Sequence, residues 1–275
     1  MIEALQFEFM RNALLAGLLA SLICGVMGTM VVVNRIVFLS GGIAHAAFGG
    51  IGLAFFFGWH YLVGTIGFSV AAALMMAIIT LKAKHRADTI IGVFWAIGMA
   101  IGILLLDLTP GYNVDLMSYL FGSILTVPAS EIWLMVGVGI AILGMVIYFY
   151  HDYLALSYDE EFAQIRGIKV KTLYIVMIIM LALGIVMVIQ VVGLILVIAL
   201  LTIPPYIAEK FSRSLFQMMI LSSVLSTVFT VGGLWFSYVF NLTSGASIIL
   251  VAGVGFLISL GLEHLLPGGF AKSAP

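Results

Sequence analysis

The stretch GGIAHAAFGGIGLAFFFG, from Gly41 to Gly58, is apolar over almost the length of a membrane span and yet contains one histidine, His45. The rest of the chain has the same character, because 64% of its 275 residues are hydrophobic and only 8% are charged. Soluble domains carry about 25% charged residues. Uninterrupted apolar runs of about 20 residues suit helices that cross a bilayer, whereas the strands of a membrane barrel alternate apolar and polar positions. The sequence therefore predicts an all-α polytopic membrane protein.

Nine membrane-spanning helices are predicted from these runs and from the breaks between them. They lie near residues 11–33, 36–58, 61–81, 89–107, 131–150, 172–189, 191–208, 214–238 and 246–264. The stretch from Asp115 to Pro128 is apolar but too short to span, so we expect a short half-helix on or in the outer face of the membrane. Only Gln190 and Gly193 divide the sixth helix from the seventh, so one bent element there would reduce the count to eight.

The basic residues predict the orientation of the chain, because cytoplasmic loops hold an excess of lysine and arginine. Most of them fall in three alternate loops: Lys82, Lys84 and Arg86; Arg166, Lys169 and Lys171; Lys210 and Arg213. Placing these loops inside also places Arg35 and Lys272 inside and leaves only Arg11 outside. We therefore expect an N-terminus outside the cell and a C-terminus in the cytoplasm.

The chain contains no recognisable soluble domain and no nucleotide site of its own. Its longest polar interval covers residues 151–171, and no G-x-x-x-x-G-K-[ST] phosphate loop occurs. No basic patch indicates nucleic acid, and the single cysteine, Cys24, excludes a disulfide within the chain and a cysteine cage for a metal. We expect one transmembrane domain over residues 1–275 with no cofactor of its own. Active transport would need an ion gradient or a separate ATP-hydrolysing partner.

The interval 151–171 carries the start and stop signals of a short helix. Asp159, Glu160 and Glu161 supply carboxylates for a first turn, and Gly167 supplies a stop. A helix of about two turns is marginal alone in water and needs something to pack on. The interval is therefore either a solvated connector or a coupling helix that docks into a groove on a cytoplasmic ATPase.

Five stretches occur in order across nearly the whole chain: LSGGIAHAAFGGIGLAFFFG, MSYLFGSILTV, LSYDEEFAQIRGI, QVVGLILVIALLTIPPYIA and SGASIIL. Taken together they resemble the permease subunit of the zinc/manganese/iron class of ABC importers. The resemblance implies the type II-like permease fold of a non-catalytic subunit in the bacterial inner membrane. It also implies a homodimeric pore, a cytoplasmic subunit that binds ATP, and an extracytoplasmic protein that delivers the metal ion.

The same resemblance assigns roles within the interval 151–171. In that family the matching loop contacts the ATPase. The coupling candidates are Asp159, Glu161, Ala163, Arg166 and Gly167.

Small residues recur at every fourth position on each of the first two helices. Such lines let another helix approach closely in lipid. They are Gly17, Ser21, Gly25 and Thr29 on the first helix, and Gly42, Ala46, Gly50 and Ala54 on the second. We expect close helix packing along both lines.

His45 lies near the middle of the second span, where an ionisable group is costly and marks a pathway or a functional site by default. The imidazole is either neutral and bonded to a carbonyl or hydroxyl of a neighbouring helix, or a transient ligand for a borderline divalent cation. The resemblance favours a ligand that faces its dimer mate, with Zn²⁺ ahead of Mn²⁺ or Fe²⁺. Many relatives carry an aspartate four residues earlier, where this chain has Gly41, so one carboxylate ligand is missing.

Acidic and imidazole groups at the predicted outer face form a candidate entrance. Asp107 ends the fourth helix, Asp115 follows it, and His60 lies just past the second helix. They are either solvated charges at helix ends or a mouth that concentrates cations. Asp107 is the stronger candidate, as a second transient metal ligand, because it lies closer to the hydrocarbon.

Pro204 and Pro205 fall inside the seventh predicted helix, toward its cytoplasmic end. They predict a kink that frees the carbonyls of Leu200 and Leu201, for which we expect Thr202 or a neighbouring helix as the partner.

Two other classes of protein compete with a metal importer. A gradient-driven secondary transporter of a small cation or solute usually holds several buried carboxylates or basic residues. Here His45 is the one ionisable side chain well inside any predicted span. An intramembrane metalloprotease would need an H-E-x-x-H pair, which the sequence lacks. The sequence therefore favours the membrane subunit of an ATP-driven importer of divalent transition-metal ions.

Overall fold

The structure is a computed structural model that describes residues 6–82, 86–110, 122 and 124–265. Nine helices in the described chain are long and apolar enough to cross a membrane. The helices are α1 (Glu8–Val33), α2 (Val37–Phe57), α3 (Tyr61–Lys82), α4 (Ala87–Asp107), α5 (Ala129–Tyr148), α6 (Tyr150–Tyr158), α7 (Glu160–Ile165), α8 (Val170–Val192), α9 (Leu194–Phe211), α10 (Leu215–Phe240) and α11 (Ser244–Leu265). The short α6 and α7 do not span. All nine predicted spans are confirmed, each within three residues at either end.

Gly193 separates α8 from α9, which confirms nine spans rather than eight among the residues that the structure covers. Its backbone has φ +82° and ψ 163°, a conformation that residues with a Cβ rarely adopt. Gly122, with φ +67°, packs its backbone directly against Val192 and Gly193. Glycine is therefore required on both sides of this contact.

Only the end of the predicted half-helix lies within the described residues. There, Ile124–Thr126 form a single 3₁₀ turn rather than an α-helix that continues to Pro128. Proline disfavours helical backbone at the residue before it, which explains why the α-helix was wrong at this end. The amide of Asn12 donates to the carbonyl of Val127 at 3.2 Å, so this turn is fixed to the start of α1. Asp115 lies outside the described residues.

The chain divides into two compact units, of which the first comprises Met1–Arg35, Met117–Leu143 and Gln190–Pro275. In it α1 runs antiparallel to α10. A Cβ added at Gly17 would lie 2.8 Å from Thr230, and one at Gly25 would overlap Ser223. The Ser21 hydroxyl lies 2.9 Å from that of Thr230. The close packing predicted for the row of small residues on α1 is confirmed.

The second unit comprises Ile36–Leu116 and Gly144–Ile189. In it α2 packs between α3, which is antiparallel, and α4, which is parallel. A Cβ at Gly50 would lie 2.5 Å from the Gly64 carbonyl oxygen on α3, and one at Gly98 would lie 2.8 Å from Ala46 Cα. The predicted close approach is confirmed, and the line on α2 serves two neighbouring helices.

Helix α9 continues through Pro204 and Pro205 to Phe211. The Thr202 hydroxyl donates to the carbonyl of Ile198 at 2.8 Å, so of the two partners expected for the freed carbonyls Thr202 was wrong and a neighbouring helix remains. Serine and threonine in helices commonly bond the carbonyl four residues back. The Leu201 carbonyl instead faces α1, where a Cβ at Gly28 would lie 2.7 Å from its oxygen.

The ends of α9 and α11 in the first unit are joined by an ion pair that the sequence did not reveal. Lys210 Nζ donates to Glu263 Oε2 at 2.7 Å, and the same ammonium lies 4.7 Å from the centre of the Tyr206 ring. Arg35, just beyond the end of α1, lies at the same end of this unit as Lys210, because α1 and α9 run parallel. Two of the basic residues that were predicted to share one side of the membrane thus lie at one end of this unit. That this end faces the cytoplasm stays a prediction.

Candidate functional site

His45 lies on the side of α2 that faces α4, and it is half-buried. Its ring packs on the indole of Trp95 with ring centres 3.8 Å apart and planes tilted by 32°. The side chain is held there because Gly98 and Gly102 on α4 let the backbone of α2 approach closely. The imidazole is therefore inside the second unit with one face covered.

The hydrogen bond of His45 fixes its tautomer. Nδ1 lies 2.8 Å from the carbonyl oxygen of Gly41, one turn earlier on the same helix. A carbonyl oxygen only accepts, so Nδ1 carries the proton. In the neutral ring the lone pair is then on Nε2, which is the state in which a histidine binds a metal ion. The bond goes to its own helix rather than to a neighbouring one.

The space beside Gly41, the residue whose carbonyl contacts His45, is unfilled. A Cβ added there would meet no atom within 4 Å, although the residue itself is buried. Gly42, the next residue, is closed, because its Cβ would overlap Ile91 on α4. A side chain larger than hydrogen therefore fits beside His45 at Gly41 but not at Gly42.

One chain supplies little beyond this imidazole to hold a metal. No group of three or more His, Cys, Asp or Glu side chains suited to a metal ion occurs within residues 6–82, 86–110, 122 and 124–265. A single neutral nitrogen is a weak ligand, and a permeation site must release its ion. The arrangement suits transient contact better than a closed four-ligand cage.

The outer candidates lie at a different level from His45. Asp107 is the last residue of α4 and is exposed. It lies twelve residues beyond Trp95, roughly 18 Å along the helix axis. His60 is exposed and stacks on Tyr61 at 5.2 Å, at the same end of the unit because α2 and α4 are parallel. The structure therefore places His60 and Asp107 at one end and does not bring them to His45.

The short helix predicted within the interval 151–171 is present as α7, while its coupling role stays a prediction. Asp159 is its N-cap, and the carboxylate accepts a hydrogen bond from the Phe162 amide at 2.8 Å. Gly167 ends the helix with φ +81°. The amides of Gly167 and Ile168 donate to the carbonyls of Gln164 and Ala163, at 2.9 and 3.1 Å, which is the Schellman pattern. Both ends of this short helix are thus closed by its own residues.

The two faces of α7 differ in exposure. Ala163 is fully buried, whereas Ile165 is 84% exposed and Phe162 50% exposed. Arg166 lies 5.7 Å from the centre of the Phe162 ring. Exposed apolar residues rimmed by charge are typical of a surface that another protein covers.

Residues 150–158, where no helix was predicted beyond the end of the fifth span, form the additional helix α6. Tyr153 is buried against α8, and its hydroxyl donates to Met180 Sδ at 3.6 Å. Burial raises the pKa of Tyr153 to about 12. The tyrosine-rich composition gave no helical period, and the packing onto α8 depends on the tertiary structure.

Sequence reasoning also missed the residues around His45 on α4. Trp95 packs on the imidazole, and Met99 accepts a hydrogen bond from the indole. Both are ordinary apolar residues of a predicted span, so the sequence carried no signal for them beyond the helical period.

A family model, the ABC 3 transport family, matches residues 6–263 of the chain. An uncharacterized membrane protein of Synechocystis sp. is 53% identical over 96% of this chain and 94% of its own length. The manganese transport system membrane protein MntC of Listeria monocytogenes is 32% identical over 93% of this chain and 91% of its own.

Solved structures have the same fold. PsaBC from Streptococcus pneumoniae, in complex with Fab, matches with a TM-score of 0.85 and 33% identity over 94% of each chain. A metal-chelate type ABC transporter in an inward-facing conformation matches with a TM-score of 0.68 over 92% of this chain and 86% of that one. Its identity of 16% supports the fold alone.

Proposed function

Because the chain belongs to the ABC 3 transport family, we propose that it is the membrane-spanning subunit of an ATP-driven importer of a divalent transition-metal ion. The subunit is a transport component and performs no catalysis itself. Relatives at about a third identity are named as manganese transport or import proteins, which supports a metal ion as the substrate. We place it in the bacterial inner membrane, with the N-terminus outside and the C-terminus in the cytoplasm.

The observation that carries the site in this proposal is the 2.8 Å contact between His45 Nδ1 and the Gly41 carbonyl oxygen. The Gly41 carbonyl holds the proton on Nδ1 and leaves the Nε2 lone pair to an ion. An ionisable group at this depth is costly unless it has a role. We assign His45 as a transient ligand of the translocation path, and Asp107 as a second one toward the outer end. His60 and Asp115 belong to the outer mouth in this proposal.

A homodimer completes the path in this account. One described chain offers one imidazole and no cluster of ligands around it. Across a dimer interface, the ring edges that Trp95 leaves uncovered would supply two nitrogens, one from each copy of His45, which an ion can still leave. The delivery protein would release the ion at the outer mouth.

The power source is a cytoplasmic subunit that binds and hydrolyses ATP. The coupling helix α7 is capped at both ends and exposes Phe162 and Ile165. We propose that it docks on that subunit, with Asp159, Glu161, Ala163, Arg166 and Gly167 as the coupling residues. A gradient-driven carrier remains the weaker alternative, because among His, Asp, Glu, Lys and Arg only His45 lies well inside a described span.

Replacing His45 tests the proposal. In cells that carry the complete transporter, His45→Ala should lower the initial rate of metal uptake by on the order of tenfold or more, because it removes the chain's ligand. The protein should still insert and assemble. The matched control is His151→Ala, at an exposed histidine outside the spans, which should retain parental uptake. If His45→Ala took up metal at the parental rate, the imidazole would have only a packing role.

Two observations bear on the ion. Imidazole without a carboxylate partner suits Zn²⁺, whereas carboxylate-rich sites suit Mn²⁺. The names of the relatives favour manganese. We propose Zn²⁺ as the preferred ion and Mn²⁺ or Fe²⁺ as further substrates. Competition between radioactive Zn²⁺ and unlabelled Mn²⁺ during uptake decides this, and complete inhibition at equal concentrations would favour manganese.

A further inference from the structure

We propose that Trp95 is the positioning residue of His45: its indole holds the imidazole in the orientation that presents Nε2 to the ion. This inference rests on the proposed function, because it assigns a role toward the same ion. Trp95 lies on α4, and the one ligand predicted on that helix is Asp107.

Two restraints act on the imidazole in different directions. The hydrogen bond from Nδ1 to the Gly41 carbonyl, 2.8 Å long, lies in the plane of the ring. The Trp95 indole acts on the face of the ring, with centres 3.8 Å apart. This is closer than the separation of about 4.5–7 Å usual for aromatic pairs. The carbonyl alone would let the ring rock about the hydrogen bond, and the indole prevents that motion.

Trp95 is itself held from two sides. Its Nε1–H donates to the sulfur of Met99, one turn later on α4, at 3.2 Å. The ring of Phe38, on α2, lies 6.0 Å away on a tilted plane. A tryptophan N–H needs a partner in hydrocarbon, and a partner on its own helix fixes the indole independently of the histidine. The indole is therefore a rigid support for the imidazole.

The indole also changes what an approaching ion meets. It covers one face of the imidazole and excludes water from that face. The Nε2 lone pair lies in the plane of the imidazole ring, so an ion reaches it at the edge of the ring, clear of the face that the indole covers. Trp95 thus orients the ligand without blocking it.

Uptake kinetics separate this role from simple packing. In the complete transporter, Trp95→Leu keeps an apolar side chain but removes the ring, and we expect the ion concentration for half-maximal uptake to rise roughly three- to tenfold, in the range of an aromatic pair. The maximal rate and the amount of assembled complex should change less than about twofold. Trp95→Phe keeps a π face and should recover most of the parental value.

The matched control is Trp235→Leu, at a half-exposed tryptophan of α10 in the other unit. It should leave the half-maximal concentration unchanged. The inference is overturned if Trp95→Leu matches this control, or if Trp95→Phe and Trp95→Leu are equally impaired.

Fluorescence gives a second readout that does not depend on transport. In full-length protein reconstituted in lipid nanodiscs, Trp59, Trp133 and Trp235 are replaced by phenylalanine, so that Trp95 alone emits. Paramagnetic Mn²⁺ bound at His45 should quench this emission in a saturable manner, and His45→Ala should abolish the effect. Absence of saturable quenching, or quenching that survives His45→Ala, contradicts the inference.

The two proposals fail in different ways. If His45→Ala takes up metal at the parental rate, the proposed path is wrong. If His45→Ala is inactive while Trp95→Leu keeps the parental half-maximal concentration, the path stands and only the role of Trp95 is refuted.

Discussion

The imidazole of His45 hydrogen-bonds to a carbonyl one turn back on its own helix. The same glycine, Gly41, that supplies this carbonyl leaves the space beside the ring unfilled. A carboxylate at this position would lie on the same side of α2 as the imidazole, since residues four apart are neighbours on a helix. In the proposed path, a side chain at position 41 would decide whether the ion meets nitrogen alone or nitrogen with oxygen.

We predict that Gly41→Asp raises the preference of the transporter for Mn²⁺ over Zn²⁺, because a carboxylate is the harder ligand. Uptake of the two radioactive ions in direct competition measures the change, and we expect a shift of roughly tenfold, as for other changes close to a metal ligand. The space at Gly41 should let the variant assemble normally.

Gly52→Asp is the matched control for this change. A Cβ at Gly52 would lie 2.5 Å from the Gly102 carbonyl oxygen, so this variant should assemble poorly. An unchanged ratio of Mn²⁺ to Zn²⁺ uptake in an assembled Gly41→Asp transporter would show that position 41 does not face the ion.

At this scale the sequence predicted His45 and the missing carboxylate but not the partners of the imidazole. A lone histidine in an apolar run is conspicuous because an ionisable group in hydrocarbon needs a reason. Trp95 and Met99 are not conspicuous, since aromatic and thioether side chains fill most spans. Which residue of α4 meets His45 depends on the glycine contacts that set the helices' relative rotation.

Among the helices, α7 shows how a helix of only six residues is stabilised by its caps. Asp159 satisfies an amide at its start, and the glycine turn satisfies carbonyls at its end. Each cap contributes about 1 kcal/mol, which matters for a helix of six residues. The sequence predicted this helix correctly because capping residues are local signals. It did not predict α6, whose buried Tyr153 depends on contact with α8.

We predict that the exposed face of α7 binds the ATP-hydrolysing subunit. Glu161→Lys reverses a charge, and Ile165→Asp places a charge on the most exposed apolar residue of the helix. Each should weaken binding of the purified subunit to the reconstituted chain by roughly tenfold, as for residues central to an interface.

Binding is measured by titration of the labelled ATPase subunit. Lys171→Glu is the control, because it reverses an exposed charge in the first turn of α8, outside the coupling helix. An equal loss in all three variants would indicate a general charge effect, and unchanged affinity for Glu161→Lys and Ile165→Asp would remove α7 from the interface.

The spanning helices were predictable for a different reason. Their apolar runs match the bilayer, and glycine or charged residues mark their ends. The 3₁₀ turn at Ile124–Thr126 was missed, because the predicted half-helix was extended to Pro128 although proline disfavours helical backbone at the residue before it. The bond between Asn12 and Val127 fixes this turn in the first unit.

For the whole molecule, the scarcity of ionisable groups inside the spans is the main functional constraint. A carrier driven by a proton or sodium gradient needs residues that bind the coupling ion within the membrane. Among His, Asp, Glu, Lys and Arg, only His45 lies well inside a described span, and the others lie near the ends of spans or between them. This scarcity supports the proposal that a partner moves the chain and counts against a gradient-driven carrier.

Transport by the reconstituted chain tests this account most directly. The chain is placed in liposomes with an imposed proton or sodium gradient, either alone or with its ATP-hydrolysing subunit, the metal-delivery protein and ATP. We predict metal uptake only with the partners and ATP, and none by the chain alone under either gradient. Metal uptake by the chain alone, driven by an ion gradient and without nucleotide hydrolysis, would contradict the account.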